Sequence, residues 1–264
     1  TGFFAPGLDQ AIARGVNLPA TVERTLIGFM GCAAAFNALR LAGSIVGARA
    51  DARVLIVCVE LCTVHIQPSA DRTNLVVASL FADGAGACIV GATEDAAHDQ
   101  FAIDGFYTAL HPDSTDDMVW QIGDYGFSLQ LSALIPRRLE VAAPTALAQL
   151  VDDPATLDFW AIHPGGRQIV DRLANVFELQ PEQVEPSREV LRQYGNMSSG
   201  TILFVLQAWR EKFRAERAGE TVNGVAMAFG PGLVIEMAKL TYIPAIPYVG
   251  SQDEAQGVLS EVLA

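Results

Sequence analysis

The sequence predicts an α/β protein of layered sheets and helices. Short continuous runs of β-branched and apolar residues, at 53–60, 157–162 and 224–229, have the character of strands buried on both faces. Between them lie longer segments with helical periodicity, and strands alternating with helices argue for layers, with antiparallel pairing at the final hairpin. Half of the 264 residues are apolar and 18% are charged, so a large core is within reach. Lys and Arg number 17 against 30 Asp and Glu, a net charge of −13, which argues against nucleic acid or an anionic membrane as partner. No apolar run is read as membrane-spanning. Cys32, Cys58, Cys62 and Cys88 sit in apolar segments without a disulfide framework or a paired metal-ligand spacing. No metal site is therefore expected, and the compartment is read as a reducing cytoplasm.

Taken in order, residues 1–7 are small and turn-forming, and Leu8 to Arg14 form a short helix closed at Gly15. After a connector comes an apolar run ending in Gly31-Cys32 and then an alanine-rich stretch without proline. Alanine is the strongest helix former, so a helix is expected from Cys32 to about Arg49, apolar on every side and buried between layers. A thiol at a helix N-terminus is biased toward the reactive thiolate. The strand at 53–60 follows, then a helix over 75–81 and a strand over 87–91 introduced by Asp83-Gly84-Ala85-Gly86. The polar stretch 93–100 is the expected boundary between halves. Strands are expected at 101–110 and 125–131, with a loop carrying Trp120 between them, and a helix at 136–150. The strand at 157–162 delivers His163, and Pro164-Gly165-Gly166 leads into a helix over 167–177. Helices at 187–193 and 198–217 flank Tyr194-Gly195-Asn196, and strands at 224–229 and 233–237 enclose Gly230-Pro231-Gly232. A proline-containing linker and a short helical tail end the chain.

Three residues combine into chemistry: a cysteine at a helix start, a histidine at a strand end and an asparagine at a helix start. Such ends are where α/β folds place their sites. A Cys–His pair activates sulfur, and His and Asn side chains donate to a developing oxyanion. The order Cys, His, Asn also fits a papain-like protease, but Gly31-Cys32-Ala33-Ala34 lacks that family's cysteine context.

The segments Gly28-Phe29-Met30-Gly31-Cys32, Ile162-His163-Pro164-Gly165-Gly166, Tyr194-Gly195-Asn196-Met197-Ser198-Ser199 and Gly230-Pro231-Gly232 resemble, in order, the signatures of the chalcone synthase-like type III polyketide synthases. The resemblance implies a thiolase-like αβαβα fold of two similar halves. Residues 1–94 would be the remainder of an incomplete first half, 95–243 the second half and 244–264 a tail. It implies Cys32 as the acyl-accepting nucleophile, with His163 and Asn196 holding a thioester carbonyl and promoting decarboxylation. It places Phe81 at the mouth of the cavity and Ser198, Gly230, Pro231 and Gly232 along its wall. The implied reaction joins an acyl-CoA starter to malonyl-CoA by decarboxylative Claisen condensation in a homodimer. CoA thioesters are then substrates and no cofactor is needed. Cys62 and His65 stand where plant members carry threonine, Leu129 replaces a second gatekeeper phenylalanine, and Trp120 stands at a glycine position. These departures favour a pyrone or resorcinol product over a chalcone. A fatty-acid-initiating ketoacyl synthase and a catalytically silent thiolase-like partner subunit are the alternatives. An upstream segment, or another copy of the chain, is expected to complete the first sheet and supply a cationic rim for CoA.

Overall fold

The computed structural model describes residues 5–67, 71–92, 97–124 and 126–246. The expected helical tail and Tyr125 lie outside them, as does the first half, 93–96, of the polar stretch read as a boundary. The elements run α1 (Leu8–Gly15), α2 (Ala34–Ala48), β1 (Arg53–Glu60), α3 (Arg72–Leu80), β2 (Gly84–Gly91), β3 (Gln100–Leu110), β4 (Met118–Gly123), β5 (Gly126–Leu131), α4 (Ile135–Leu147), β6 (Phe159–Ile162), α5 (Arg167–Val176), α6 (Pro181–Tyr194), α7 (Thr201–Glu216), β7 (Val222–Gly230) and β8 (Val234–Ile243).

The centre is a sheet in the order β3-β8-β7-β6, in which β6 runs parallel to β7 and the other pairs are antiparallel. Strand β7 is buried on both faces, and its alternation sorts the two cores. Val222, Ala226 and Ala228 face the layer built from α2 and α7, where Phe36, Leu39, Ile202 and Trp209 fill the space left by small side chains. Val225, Met227 and Phe229 face α4 and α5, against Leu139, Leu147, Val170 and Leu173. Gly224 is held small by Phe159, whose ring lies 2.2 Å from where a Cβ would stand.

Beyond α2 and α7 lies a separate antiparallel pair, β1–β2. Here the structure corrects the expectation of a strand buried on both faces. Ile56 and Cys58 pack inward on the helices, whereas Leu55, Val57 and Ile89 on the other face are 40%, 37% and 70% exposed. Among the described residues only one face of this pair carries a covering layer. Helix α2 departs from its expectation for the same reason: Ala35, Phe36, Leu39, Ala42 and Val46 are buried, but Leu41 is 38% exposed. By length and composition Gly31–Ala48 could cross a membrane, contrary to the sequence reading. Its Asn37 and Arg40 instead reach across to Glu236 of β8, a carboxylate 2% exposed that also accepts from Thr108, so this is a core helix.

Three further expectations shift. The loop around Trp120 is strand β4, paired with β5 from Met118↔Leu131 to Gly123↔Gly126. Strand β2 begins at Gly84 rather than Ala87, because Gly84 and Gly86 lie against Met197 and Leu203 and only glycine leaves room. Helix α6 begins at Pro181, six residues before Ser187, since Gln180 and Gln183 form a reciprocal capping box and Pro181 occupies the first turn.

Asp99, 4% exposed, ties the start of β3 to α7. It accepts from Arg210 Nε at 2.8 Å, Arg214 Nε at 2.7 Å and Tyr242 Oη at 3.0 Å. Burial alone would raise its carboxyl, but the bonds from Arg214, Arg210 and Tyr242 outweigh burial and hold it well below the usual carboxylate range. A carboxyl lowered in the folded state contributes stability that is complete above its unfolded value of about 4 and is lost as pH falls below it. Asp99→Asn should cost about 1–3 kcal/mol at neutral pH, below the buried-pair range because the guanidinium groups stay partly hydrated. The cost should shrink in acid, as chemical denaturation at pH 7 and pH 3.5 will show.

Candidate active site

Three chain reversals bring the site together. At the first, Phe29 (φ 61°) and Gly31 (φ 55°) adopt left-handed conformations, and Gly31–Ala33 form one 3₁₀ turn that feeds into α2. Cys32 thus lies in that turn, two residues before the α-helix proper. The Gly230-Pro231-Gly232 turn packs beneath it: a Cβ on Gly31 would sit 2.6 Å from Pro231 Cδ, and one on Gly230 would sit 2.8 Å from the Met30 carbonyl oxygen. Gly230 and Pro231 thus hold the turn that carries Cys32, and neither they, Gly232 nor Ser198 line the pocket described below, where the resemblance places them. Gly31→Ala would impose a left-handed alanine and a clash together, worth about 2–4 kcal/mol of strain. The expected result is a folded protein whose Cys32 reacts with a thioester probe at least about tenfold more slowly. Intact-mass spectrometry over time measures this.

At the second reversal, β6 ends in His163, whose N–H donates to Met227 O at 2.8 Å while the preceding Ile162 N–H donates to Ser187 Oγ at 3.2 Å. The ring is 1% exposed, and neither Nδ1 nor Nε2 has a hydrogen-bond partner. Two orphaned nitrogens on one buried ring call for a ligand.

The third reversal follows α6, where Gly195 (φ 72°) turns the chain into Asn196. The backbone of Asn196 pairs with the Phe81 segment in a short parallel bridge: Asn196 N–H donates to Leu80 O and Ala82 N–H donates to Asn196 O, both at 2.9 Å. The Asn196 side chain then links the site. Its Oδ1 accepts from the Ser198 N–H at 2.9 Å and from Cys32 Sγ at 3.9 Å, while Nδ2 donates to Gly165 O at 3.3 Å, two residues beyond His163. A primary amide has two N–H donors, so one remains for a substrate oxygen. Ser198 sits in the left-handed region (φ 49°) and is 8% exposed.

The electrostatics run against the helix-start expectation of a thiolate. Burial pushes the Cys32 thiol up to about 12; its hydrogen bonds with Ser198 and Asn196 pull the other way, and Glu60 and Cys62 add to the rise. Burial likewise pushes His163 down to about 3. The resting site therefore holds a thiol and a neutral imidazole, linked through the Asn196 side chain and the Gly165 carbonyl rather than by a direct hydrogen bond.

Next to this trio lies a pocket of about 60 Å³ walled by Cys62, His65, Phe81, Trp120, Phe127 and Leu129, with the polar Gln67, Asn74 and Ser128 also in its lining. The five wall residues expected from sequence, at 62, 65, 81, 120 and 129, meet there. Phe127 and Glu60 were missed. Phe127 stands edge-on to His65 with ring centroids 4.8 Å apart, and could have been found from strand alternation with Leu129. Glu60 is 7% exposed and accepts from Ser199 N–H at 3.2 Å and Oγ at 2.5 Å, bracing the loop that carries Ser198. Its signal was a lone carboxylate ending an apolar strand. Among the described residues no group of three His, Cys, Asp or Glu could hold a metal ion.

Comparison with known proteins places this geometry. The family model for chalcone and stilbene synthases matches in two parts, the N-terminal domain over residues 1–94 and the C-terminal domain over residues 106–244. The alpha-pyrone synthesis polyketide synthase-like Pks18 of Mycobacterium tuberculosis is 35% identical over 243 residues, covering 89% of this chain and 61% of that protein. This chain thus spans less than two thirds of the length of that relative. Among solved structures, PKS-I of the brown alga Ectocarpus siliculosus superposes with a TM-score of 0.85 at 32% identity, covering 92% of this chain and 66% of that one. The 1,3,6,8-tetrahydroxynaphthalene synthase of Streptomyces coelicolor A3(2), a bacterial type III polyketide synthase, gives 0.82 at 28% identity, covering 93% and 70%. This chain belongs to the chalcone and stilbene synthase family of type III polyketide synthases and has their thiolase-like fold.

Proposed function

We propose that the protein extends an acyl-CoA starter with malonyl-CoA by decarboxylative condensation on Cys32 and releases a pyrone or resorcinol product. The observation that carries this reading is the buried meeting of Cys32, Asn196 and His163, with both imidazole nitrogens unpartnered. Cys32 Sγ attacks the starter carbonyl, its proton passes to His163, and CoA leaves as its thiol with that proton. A malonyl thioester then sets its carbonyl oxygen between the His163 ring N–H and the uncommitted Asn196 N–H. Loss of CO₂ leaves an enolate whose charge falls on that oxygen, and donors fixed in a water-poor site stabilise it without rearranging. The enolate carbon attacks the Cys32 thioester, a C–C bond forms and the C–S bond breaks. The product is two carbons longer. This chemistry needs no cofactor; we place the protein in the cytoplasm, as a homodimer, with CoA thioesters as its partners. The pyrone preference is supported by the small pocket and by Trp120 and Leu129 in its wall. Incubation with malonyl-CoA and a panel of acyl-CoA starters, followed by mass spectrometry, tests the reading. Expected are a starter adduct on Cys32 and pyrone products; neither adduct nor CO₂ release from any starter would overturn it.

A further inference from the structure

The turn over 195–200 carries Asn196 and is held at both ends. Its start is fixed by the parallel bridge to Phe81. Its end rests on the β1–β2 pair, where Glu60, the last residue of β1, lies opposite Gly84. A Cβ on Gly84 would fall 2.4 Å from Met197 Sδ, and one on Gly86 would fall 3.5 Å from Gly200 O, so the turn lies against bare backbone. Into this close contact the fold places a carboxylate that is 7% exposed. Glu60 Oε1 accepts both the N–H of Ser199, at 3.2 Å, and its Oγ–H, at 2.5 Å. A buried charge is costly unless it is well bonded, and an apolar side chain ending the strand would avoid that cost. Between the two anchors sits Ser198 with a left-handed backbone, φ 49°. Such a conformation persists only where its surroundings over-determine it. The Ser198 N–H holds Asn196 Oδ1 at 2.9 Å, and with the bond from Nδ2 to Gly165 O it sets the plane of the amide.

We infer that Glu60 is a positioning residue for decarboxylation: through Ser199 it fixes the strained turn at Ser198 and so aims the uncommitted N–H of Asn196 at the enolate oxygen. The inference rests on the condensation proposed above. In that scheme Glu60 touches no reacting atom, and its side chain does not line the pocket. A charged acceptor suits the task, because hydrogen bonds to an ionised group are roughly twice as strong as neutral ones. One oxygen that takes both donors of Ser199 also stops that residue from sliding or rotating. Without this anchor the backbone at Ser198 relaxes toward the right-handed region, its N–H leaves Asn196 Oδ1, and the amide turns freely. A misplacement of about 1 Å at such a donor costs up to about a hundredfold in rate. The effect belongs in kcat rather than KM, because the rest of the site is untouched. The same carboxylate faces the sulfur. Glu60 and Cys62 raise the Cys32 thiol, whereas its bonds with Ser198 and Asn196 lower it. Losing the charge alone and losing the turn therefore move Cys32 in opposite directions.

The test compares Glu60→Ala, which removes the anchor, with Glu60→Gln, which keeps an acceptor oxygen of the same reach without the charge. In Glu60→Ala, kcat for CO₂ release from malonyl-CoA should fall about ten- to hundredfold with KM within about threefold of the parent. Glu60→Gln should recover at least about half of that loss on a logarithmic scale. Thiolate at Cys32 is read as ultraviolet absorbance against the same variant carrying Cys32→Ala. At one alkaline pH it should be more abundant in Glu60→Gln than in Glu60→Ala, because only the glutamine keeps the turn. A role in stability alone would lower the melting temperature and leave kcat and the thiolate unmoved. A kcat in Glu60→Ala within about threefold of the parent, a loss confined to KM, or a Glu60→Gln as slow as Glu60→Ala would overturn the inference. If the parent releases no CO₂, the condensation itself fails and the thiolate comparison decides for Glu60, equal thiolate in the two variants counting against it. If Glu60→Ala does not fold, Ser199→Ala takes its place, since it removes the shorter bond and keeps the N–H. Its kcat should fall at least about threefold at constant KM, and an unchanged kcat would overturn the role given to Glu60.

Discussion

Cys32→Ala should abolish condensation while leaving malonyl-CoA decarboxylation measurable. With the proposed acyl-carrying thiol removed, loss of starter adduct should be complete and product formation should fall by at least about a thousandfold. Decarboxylation depends on donors that remain in place. His163 is held by Met227 and Asn196 by Leu80, Ala82, Ser198 and Gly165, and none of these contacts involves the sulfur. The fold should survive, because Asn196 Oδ1 keeps its bond from Ser198 when it loses the long contact to Cys32. A melting temperature within a few degrees of the parent, together with CO₂ release and no product, is the expected pattern. Release of product at the native rate would move the nucleophile elsewhere.

Asn196→Ala should give the converse pattern, with decarboxylation falling by about 10²–10³, as for other single oxyanion donors. Part of that loss is structural. Ser198 holds a left-handed conformation with its N–H on Asn196 Oδ1, and alanine leaves that buried N–H unpaired, at about 1–3 kcal/mol. Asn196→Asp separates the two contributions. It keeps the acceptor for Ser198, so stability should be better preserved, yet it places an acceptor where the enolate needs a donor. Stability close to the parent with decarboxylation as poor as in Asn196→Ala would assign the kinetic loss to the missing N–H. Decarboxylation at the native rate in either variant would remove Asn196 from enolate stabilisation.

The sequence made the site legible because the site is built from chain ends. Cys32, His163 and Asn196 each sit at a break between elements, flanked by Gly31, Gly165 and Gly195, and such breaks show in composition. The second half of the fold read well for a related reason: β7 and the strands beside it are covered on two faces, so each reads as an unbroken apolar run. Strand β1 has the same run but only half the cover, and no pattern within one strand reports what lies across from it. Strand β4 was hidden because Gln121, Ile122 and Gly123 are all exposed, so the alternation that marks a half-buried strand lapses there. Protonation was the least legible of all. A helix start favours the thiolate, and only the depth of Cys32, 7% exposed, decides that burial prevails.

The bridge between Phe81 and Asn196 has a consequence for anyone reshaping this enzyme. Two main-chain hydrogen bonds clasp Phe81 in the pocket wall to Asn196, the residue proposed to hold the oxyanion, at a joint where Gly195 has Ala82 Cβ only 3.1 Å from a would-be Cβ. Entrance and engine are cut from one piece. Side chains at position 81 can be exchanged without touching that clasp, so long as the backbone stays where it is. An insertion, a deletion or a proline anywhere in 80–82 would retune the door and throw the catalyst out of alignment in the same stroke. Libraries that vary loop length here should return dead clones, and those that vary only the Phe81 side chain should return altered appetites.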